Sequence, residues 1–330
     1  MTFLYIVVGL VILFDFINGF HDSANSIATV VSTKVLSPIA AVAMAAFFNF
    51  IAFVIFPLRV ADTMSYGVVN PNVINLTVIA SAIIAAIAWN LATWWLGLPS
   101  SSSHTLVGGL VGAAVSSSGW STVVMAGVIK IVLFIVIAPV LGMIISFFIS
   151  ALVIFLARNH SPSGIDKYFR RLQLISAAAF SLGHGGNDAQ KSMGIIWVAL
   201  LVTGIVTKNE TIRDHMWIVL ACQSAIAMGT LLGGWRIVKT MGQKITKLKP
   251  FEGFCAETAG ALTLFGATHF GIPVSTTHVI TGAIIGVGAR KGASAVKWGV
   301  TRKIFWAWIL TIPISAIIGG IMYHFFNWIL

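Results

Sequence analysis

Apolar runs near residues 2 to 18, 38 to 58, 73 to 96, 122 to 157, 172 to 206, 215 to 235, 254 to 270 and 297 to 328 constrain this chain more than any other feature. A helix needs about 20 apolar residues to cross a bilayer, and runs of this length predict an all-α polytopic membrane protein. Those at 122 to 157 and 297 to 328 contain Pro139 and Pro313, and each is long enough for two segments or for a span plus an interfacial helix. Counting re-entrant pieces, the expectation is about 10–12 transmembrane segments. Only 9% of the 330 residues are charged and 58% are hydrophobic. A soluble globular chain carries roughly 25% charge, so a water-facing surface is excluded. The two cysteines, Cys222 and Cys255, lie in apolar stretches without metal-ligand spacing and read as buried thiols.

The net charge of +11 does not point to nucleic acid, because the basic residues sit in short clusters between apolar runs. Arg158, Lys167, Arg170 and Arg171 form one cluster, and Arg236, Lys239, Lys244, Lys247 and Lys249 form another. By the positive-inside rule both belong in the cytoplasm. The N-terminus lacks a basic n-region and enters its apolar run directly, so it reads as a first spanning helix and not as a removed signal peptide.

The chain also repeats itself. Gly19-Phe20-His21-Asp22-Ser23-Ala24-Asn25-Ser26 aligns with Gly185-Gly186-Asn187-Asp188-Ala189-Gln190-Lys191-Ser192. Gly97-Leu98-Pro99-Ser100-Ser101-Ser102-Ser103-His104 aligns with Gly271-Ile272-Pro273-Val274-Ser275-Thr276-Thr277-His278, and Lys130 to Pro139 echoes Lys303 to Pro313. Order and spacing are kept: His104 follows Asp22 by 82 positions, and His278 follows Asp188 by 90. The expectation is two homologous repeats, taken as inverted. Residues 1–157 form repeat 1 (Asp motif 18–29, hairpin 97–119), 158–171 a cytoplasmic linker, and 172–330 repeat 2 (Asp motif 183–194, hairpin 271–289). Internal repeats with interrupted helices at matching positions are the mark of secondary transporters.

Four acidic residues, Asp15, Asp22, Asp188 and Glu257, lie in apolar surroundings. A carboxylate at membrane depth is costly unless it is paired or lines a cavity, which makes each a functional candidate. Glycines crowd the two repeated aspartates, Gly19 before Asp22 and Gly183, Gly185 and Gly186 before Asp188. They predict local unwinding that frees carbonyls, and with Asn25 an oxygen-rich cage for a small cation or a proton. Lys191 replaces that asparagine in the second copy, where it can neutralise Asp188, take the place of a cation or attract an anion.

The second motif ends an apolar segment with a proline and follows it with hydroxyls, Ser100 to Ser103 or Ser275 to Thr277, then a histidine. Hydroxyl residues here read as N-caps, and a helix N-terminus offers free N–H groups to an anion. The glycine-rich segments that follow, Thr105 to Gly119 and Val279 to Gly288, read as arms of re-entrant helical hairpins. His104, His278, His21 and His184 accompany the motifs as candidate proton carriers. His160, His215, His269 and His324 have no motif context and are unassigned.

These paired motifs, in this order, resemble the inorganic phosphate transporter family called PiT. Asn18 to Pro38, Trp89 to Thr105 and His184 to Gly194 look most like its bacterial low-affinity Pit branch. The resemblance implies a symporter of inorganic phosphate, as the free anion or a metal-phosphate complex, driven by a proton or sodium through elevator-like motion. It implies that Asp22, Asn25, Asn187 and Asp188 hold the coupling ion, with sodium a candidate there. Phosphate would be cradled by Ser101, Ser102, Ser103, His104, Thr105, Ser275, Thr276, Thr277 and His278, with His21, Lys191 and Glu257 in support. It further implies an inner-membrane homodimer with no cofactor beyond the coupling cation and no nucleic-acid partner. The chain departs from the family signature at Phe20, His21, Gly186, Gln190 and Lys191, the positions that bear on the coupling ion.

A sulfate permease of the same family and a passive anion channel are the alternatives within transport. An intramembrane hydrolase using Ser103 or Ser275 is disfavoured, because an adjacent Ser-His pair does not give nucleophile-to-base geometry and no Gly-x-Ser-x-Gly elbow is present.

Overall fold

The computed structural model describes residues 1–70, 73–207 and 209–329, so that Leu330, the last residue of the second expected repeat, lies outside them. The described chain runs through α1 (Thr2–Ser32), α2 (Pro38–Ile55), α3 (Arg59–Tyr66), α4 (Leu76–Leu96), α5 (Ser102–Ser118) and α6 (Met125–Ala157). It continues through α7 (Pro162–Val202), α8 (Met216–Leu232), α9 (Trp235–Gln243), α10 (Pro250–His269), α11 (Thr276–Lys291) and α12 (Trp298–Ile329). Side chains cap the starts where sequence rules place them: Ser37 before Pro38, Asn75 before α4, and Ser161 before Pro162. Six stretches among the described residues are long and apolar enough to cross a membrane: α1, α2, α4, α6, α12 and Ile212–Leu232.

Three expectations need correcting here. The prolines do not divide the long runs, since α6 and α12 pass through Pro139 and Pro313 as single helices. A proline removes one donor and strains one turn, which a helix packed among neighbours tolerates. Nor are residues 158–171 a linker, because α7 begins at Pro162 and only Arg158 to Ser161 connect it to α6. The segments 97–119 and 271–289 are each an elbow plus one arm. The other arms of the hairpins are α4 and α10.

The direction of the repeats follows from α1 and α7, which carry the two matched aspartates. Ser192 on α7 donates to Asp15 on α1 at 2.7 Å, while Thr33, near the other end of α1, donates to Gln173 at 2.9 Å. As residue numbers rise along α1 they fall along α7, so equivalent helices run antiparallel and the repeats are inverted. Packing is exchanged between them: α5 lies on α12 and α11 on α6, α1 lies on α8 and α7 on α2.

One end of the molecule gathers the basic residues. Arg170 donates to the Lys34 carbonyl, Lys291 to the Lys247 carbonyl, and Glu252 pairs with Lys291 and Arg290. At the opposite end the connection 119–124 contains no lysine or arginine, and 203–215 contains Lys208 and Arg213. The positive-inside rule associates the more basic end of such a protein with the cytoplasm. Hairpin α10–α11 enters from that end and α4–α5 from the other, so their elbows meet in between.

Two apolar cores flank that meeting point. One is built from Val7, Val11, Ile79, Leu110 and Ile196, and the other from Ile27, Met241, Cys255, Ile280 and Ile284. Between them lies a buried polar layer containing Asp22, Ser101, Asn187, Asp188, Lys191 and Thr276.

Candidate functional site

The helices that carry the aspartates are not unwound. α1 is continuous through Asn18 to Asn25 and α7 through Gly183 to Lys191, so their glycines release no backbone carbonyls. The glycines have another use. A Cβ on Gly19 would lie 2.2 Å from the carbonyl oxygen of Ile226, and one on Gly185 2.4 Å from that of Asn49. Each glycine lets a helix of the opposite repeat approach to backbone contact, which sets the depth at which the following aspartate stands.

The irregular backbone is found at the hairpin elbows and at the breaks between α2 and α3 and between α8 and α9. Gly97 and Gly271 end α4 and α10 in the left-handed region, at φ +66° and +65°. The next residues close the turn: Leu98 N–H reaches the Thr93 carbonyl at 2.9 Å, and Ile272 N–H reaches that of Ala267 at 2.8 Å. Ser101 and Ser275 are the N-caps of α5 and α11, accepting from the N–H groups of His104 and His278 at 3.3 and 3.2 Å. The hydroxyl residues Ser102, Ser103, Thr276 and Thr277 therefore occupy first turns, where backbone N–H groups have no intrahelical acceptor. The two helix starts come together, with the His104 and His278 rings 4.9 Å apart and His278 stacked on Trp308 at 3.9 Å.

A continuous network joins the elbows to α1 and α7. Lys191 Nζ donates to Asp188 Oδ1 at 2.5 Å, to Ser103 Oγ at 2.5 Å and to the Val274 carbonyl at 2.9 Å. It thus ties one carboxylate to both elbows and commits its three donors. Thr276 donates to Asp188 Oδ2 at 3.2 Å, and Asn25 Nδ2 donates to Thr276 and Thr277 at 3.2 and 2.9 Å. Asp22 meets His21 Nδ1 at 2.5 Å, and His21 Nε2 continues to Thr93 Oγ1 at 3.1 Å. His184 contacts Asn49 Oδ1 through Nδ1, while its Nε2 lies 3.2 Å from Asp188 Oδ2 without hydrogen-bond alignment. One ligand atom each from Asp22, His184 and Asp188 falls within 4.8 Å of the others, an arrangement able to hold a cation.

Not every candidate converges here. Asn187 spends its amide N–H groups on Thr268 Oγ1 and the Ile272 carbonyl, bracing the second elbow, and its buried Oδ1 has no partner among the described residues. Thr105 turns back to the Ser102 carbonyl and to Asn90. Glu257 stands apart in the basic-end core, where Thr29, Gln173 and Ser176 donate to it. Among the described residues, Ser102 Oγ and His104 Nδ1 are buried polar atoms of the layer with no hydrogen-bond partner.

Sequence reasoning missed a pair of arginines. Arg59 at the start of α3 donates to the His269 carbonyl at 2.8 Å, and Arg236 at the start of α9 donates to the Trp95 carbonyl at 2.7 Å. Each caps the C-terminal end of a hairpin arm from the other repeat, where a positive charge also suits the helix dipole. Thr63 and Thr240 add matching bonds to the carbonyls of Gly271 and Gly97. The available sign was position: each arginine follows a helix break, at Pro57 in one half and Gly233-Gly234 in the other.

The layer brings together hydroxyls and free helix-start N–H groups suited to a tetrahedral oxyanion, beside carboxylates suited to a cation. The sequence model of the phosphate transporter family matches residues 18–164 and 156–319. A protein of Rhizobium meliloti (strain 1021), named a probable low-affinity inorganic phosphate transporter, is 53% identical over 321 residues, covering 96% of each chain. A protein of Bacillus subtilis (strain 168) with the same name is 43% identical, covering 96% of this chain and 95% of its own length. A solved structure named the sodium-dependent phosphate transporter superposes with a TM-score of 0.88 at 28% identity, covering 100% of both chains.

Proposed function

The chain is a multi-pass membrane protein that belongs to the phosphate transporter family, and on that footing we propose that it is a secondary active symporter of inorganic phosphate and a cation. In a bacterium its place is the inner membrane. The observation that carries the reading is the convergence of both hydroxyl elbows with Asp22 and Asp188 in one buried layer between two apolar cores.

Phosphate enters this layer as an anion and must be compensated, because an uncompensated charge at membrane depth costs several kcal/mol or more. Ser101 and Ser275 hold the two helix starts in shape. Ser102, Ser103, Thr276 and Thr277 supply hydroxyls, and the first-turn N–H groups supply donors that need no deprotonation. Asp22, His184 and Asp188 take the coupling ion, and Asn25 links that ion to the second elbow through Thr276 and Thr277. Anion and cation then favour each other's binding, as coupling requires. The contact between His21 and Asp22 favours a proton, whereas the name of the similar solved structure favours sodium.

The same reading takes the halves on either side of the Arg158 to Ser161 connection as the two repeats, with the hairpins moving in an elevator-like manner within a homodimer. It makes the protein a carrier and not an enzyme. Sulfate and passive flow are tested together with it. The test is uptake of radiolabelled phosphate into vesicles reconstituted with the purified protein, under separately imposed proton and sodium gradients. Uphill accumulation that excess phosphate suppresses and excess sulfate does not is the expected result. Accumulation only down the phosphate gradient refutes symport, and equal suppression by sulfate refutes the substrate.

A further inference from the structure

We infer that the Lys191 ammonium is a built-in counter-cation, occupying beside Asp188 the position that a mobile monovalent cation would otherwise fill. The inference rests on the symport reading above and deepens it by assigning the charge count of the site.

The two repeats place equivalent carboxylates in one layer but surround them differently. Asp22 has no lysine or arginine paired with it among the described residues, and its companion one turn on is the neutral Asn25. Asp188 has Lys191 at that equivalent position, in direct contact. The three acceptors around Nζ are a carboxylate oxygen, the Ser103 hydroxyl and the Val274 carbonyl, the donor set that a small hard cation selects. They come from three separate segments: α7, the start of α5 and the second elbow. The ammonium is therefore a ligand-collecting centre and not a surface charge that happens to fall near an acid. The lysine is 2% exposed and its stem is anchored in continuous helix, so the charge cannot leave with substrate. A site with the symmetry of the fold would bind one mobile cation per aspartate. This one keeps a tethered charge at the second and leaves Asp22 to exchange.

The test replaces Lys191 with the residue its own first repeat uses. In proteoliposomes, the number of cations moved per phosphate is read from the opposing gradients at which flux stops. Lys191→Asn is expected to move one sodium more per phosphate than the parent. Sodium is also expected to tighten phosphate binding to the purified variant by about 5- to 150-fold beyond its effect on the parent, with phosphate tightening sodium equally. Lys191→Arg, which keeps a tethered charge beside Asp188, is expected to keep the parental count. An unchanged count in Lys191→Asn, or an extra sodium in Lys191→Arg, overturns the inference. Should Lys191→Asn be too unstable for transport, its melting temperature in detergent decides: a sodium-dependent rise larger than the parent's is expected, and no such rise while Lys191→Arg is stable overturns it. Failure of the parent itself to accumulate phosphate is a separate result and refutes the symport reading instead.

Discussion

Gly19→Ala tests whether the glycines near the aspartates serve close helix approach. An alanine Cβ there would lie 2.2 Å from the carbonyl oxygen of Ile226 and 2.9 Å from its C and Cα atoms. Ordinary contact begins near 3.4 Å, so α1 and α8 must separate by on the order of 1 Å, and overpacking of this kind costs about 1–3 kcal/mol. No side chain can rotate aside, because every atom met is backbone. The displacement reaches the site by a short route: Thr230, which contacts the Gly19 carbonyl, accepts from Asn49, and Asn49 holds His184. Gly9, on the same helix with nothing within 4 Å of its would-be Cβ, is the control. Gly9→Ala is expected to be neutral or stabilising by up to about 1 kcal/mol, since alanine is the better helix former. Thermal unfolding in detergent and phosphate uptake are measured on both variants. Gly19→Ala should melt several degrees lower and transport more slowly, and Gly19→Val should be worse again because the cost grows with side-chain volume. If Gly19→Ala melts and transports like Gly9→Ala, close approach is not what this glycine provides.

Asp22→Asn and Asp188→Asn should each abolish concentrative phosphate uptake while inserting normally, and accumulation at the parental level by either variant removes that residue from coupling. Arg59→Gln and Arg236→Gln each lose a guanidinium cap on a hairpin arm, at about 1 kcal/mol for partly exposed charges. Both should raise the phosphate KM by similar factors with little change in membrane insertion, and an effect confined to one of them contradicts their equivalence. Outside the membrane, backbone and side-chain bonds from Thr207, with His215, hold Glu210 below the usual carboxylate range. A depressed carboxyl stabilises above its unfolded value, near 4, and loses that contribution as pH falls through its folded one. Hydrogen exchange of the Thr207 amide, which donates to Glu210, corrected for intrinsic rate, should therefore rise below about pH 4 and stay flat above it.

What the sequence disclosed depended on how local each rule is. The N-caps were legible within the hydroxyl runs Ser100 to Ser103 and Ser275 to Thr277, because capping involves neighbours in the chain. The duplication was legible because its motifs recur in order. A glycine's purpose is not local: Gly19 and Gly185 read as points of unwinding until Ile226 and Asn49 stand opposite them. Lys191 had three readings that only Ser103 and Val274, on the two elbows, could separate. Arg59 and Arg236 escaped notice as functional positions because an arginine beside a helix break looks solvated until the carbonyl it caps is seen.

Inverted repeats make the two ends of this molecule structurally equivalent, since any opening that the elements of one repeat provide at one end has a counterpart from the other repeat at the opposite end. The exchanged packing strengthens that equivalence: α5 is seated on α12 and α11 on α6, while α4 and α10 also lie against α1 and α7 of their own halves. Trp308 binds them further, donating to the Pro99 carbonyl at the first elbow while stacking on His278 of the second. Geometry of this kind gives transport no preferred direction. Charge does not share the symmetry. With an ammonium fixed on α7 and only asparagine at the matching place on α1, Asp188 has a tethered counter-charge, whereas Asp22 has the imidazole of His21. On the symport reading proposed above, the cation taken up beside Asp22 is then the one that phosphate is coupled to, and the direction of net flux follows the combined gradients of phosphate and that cation.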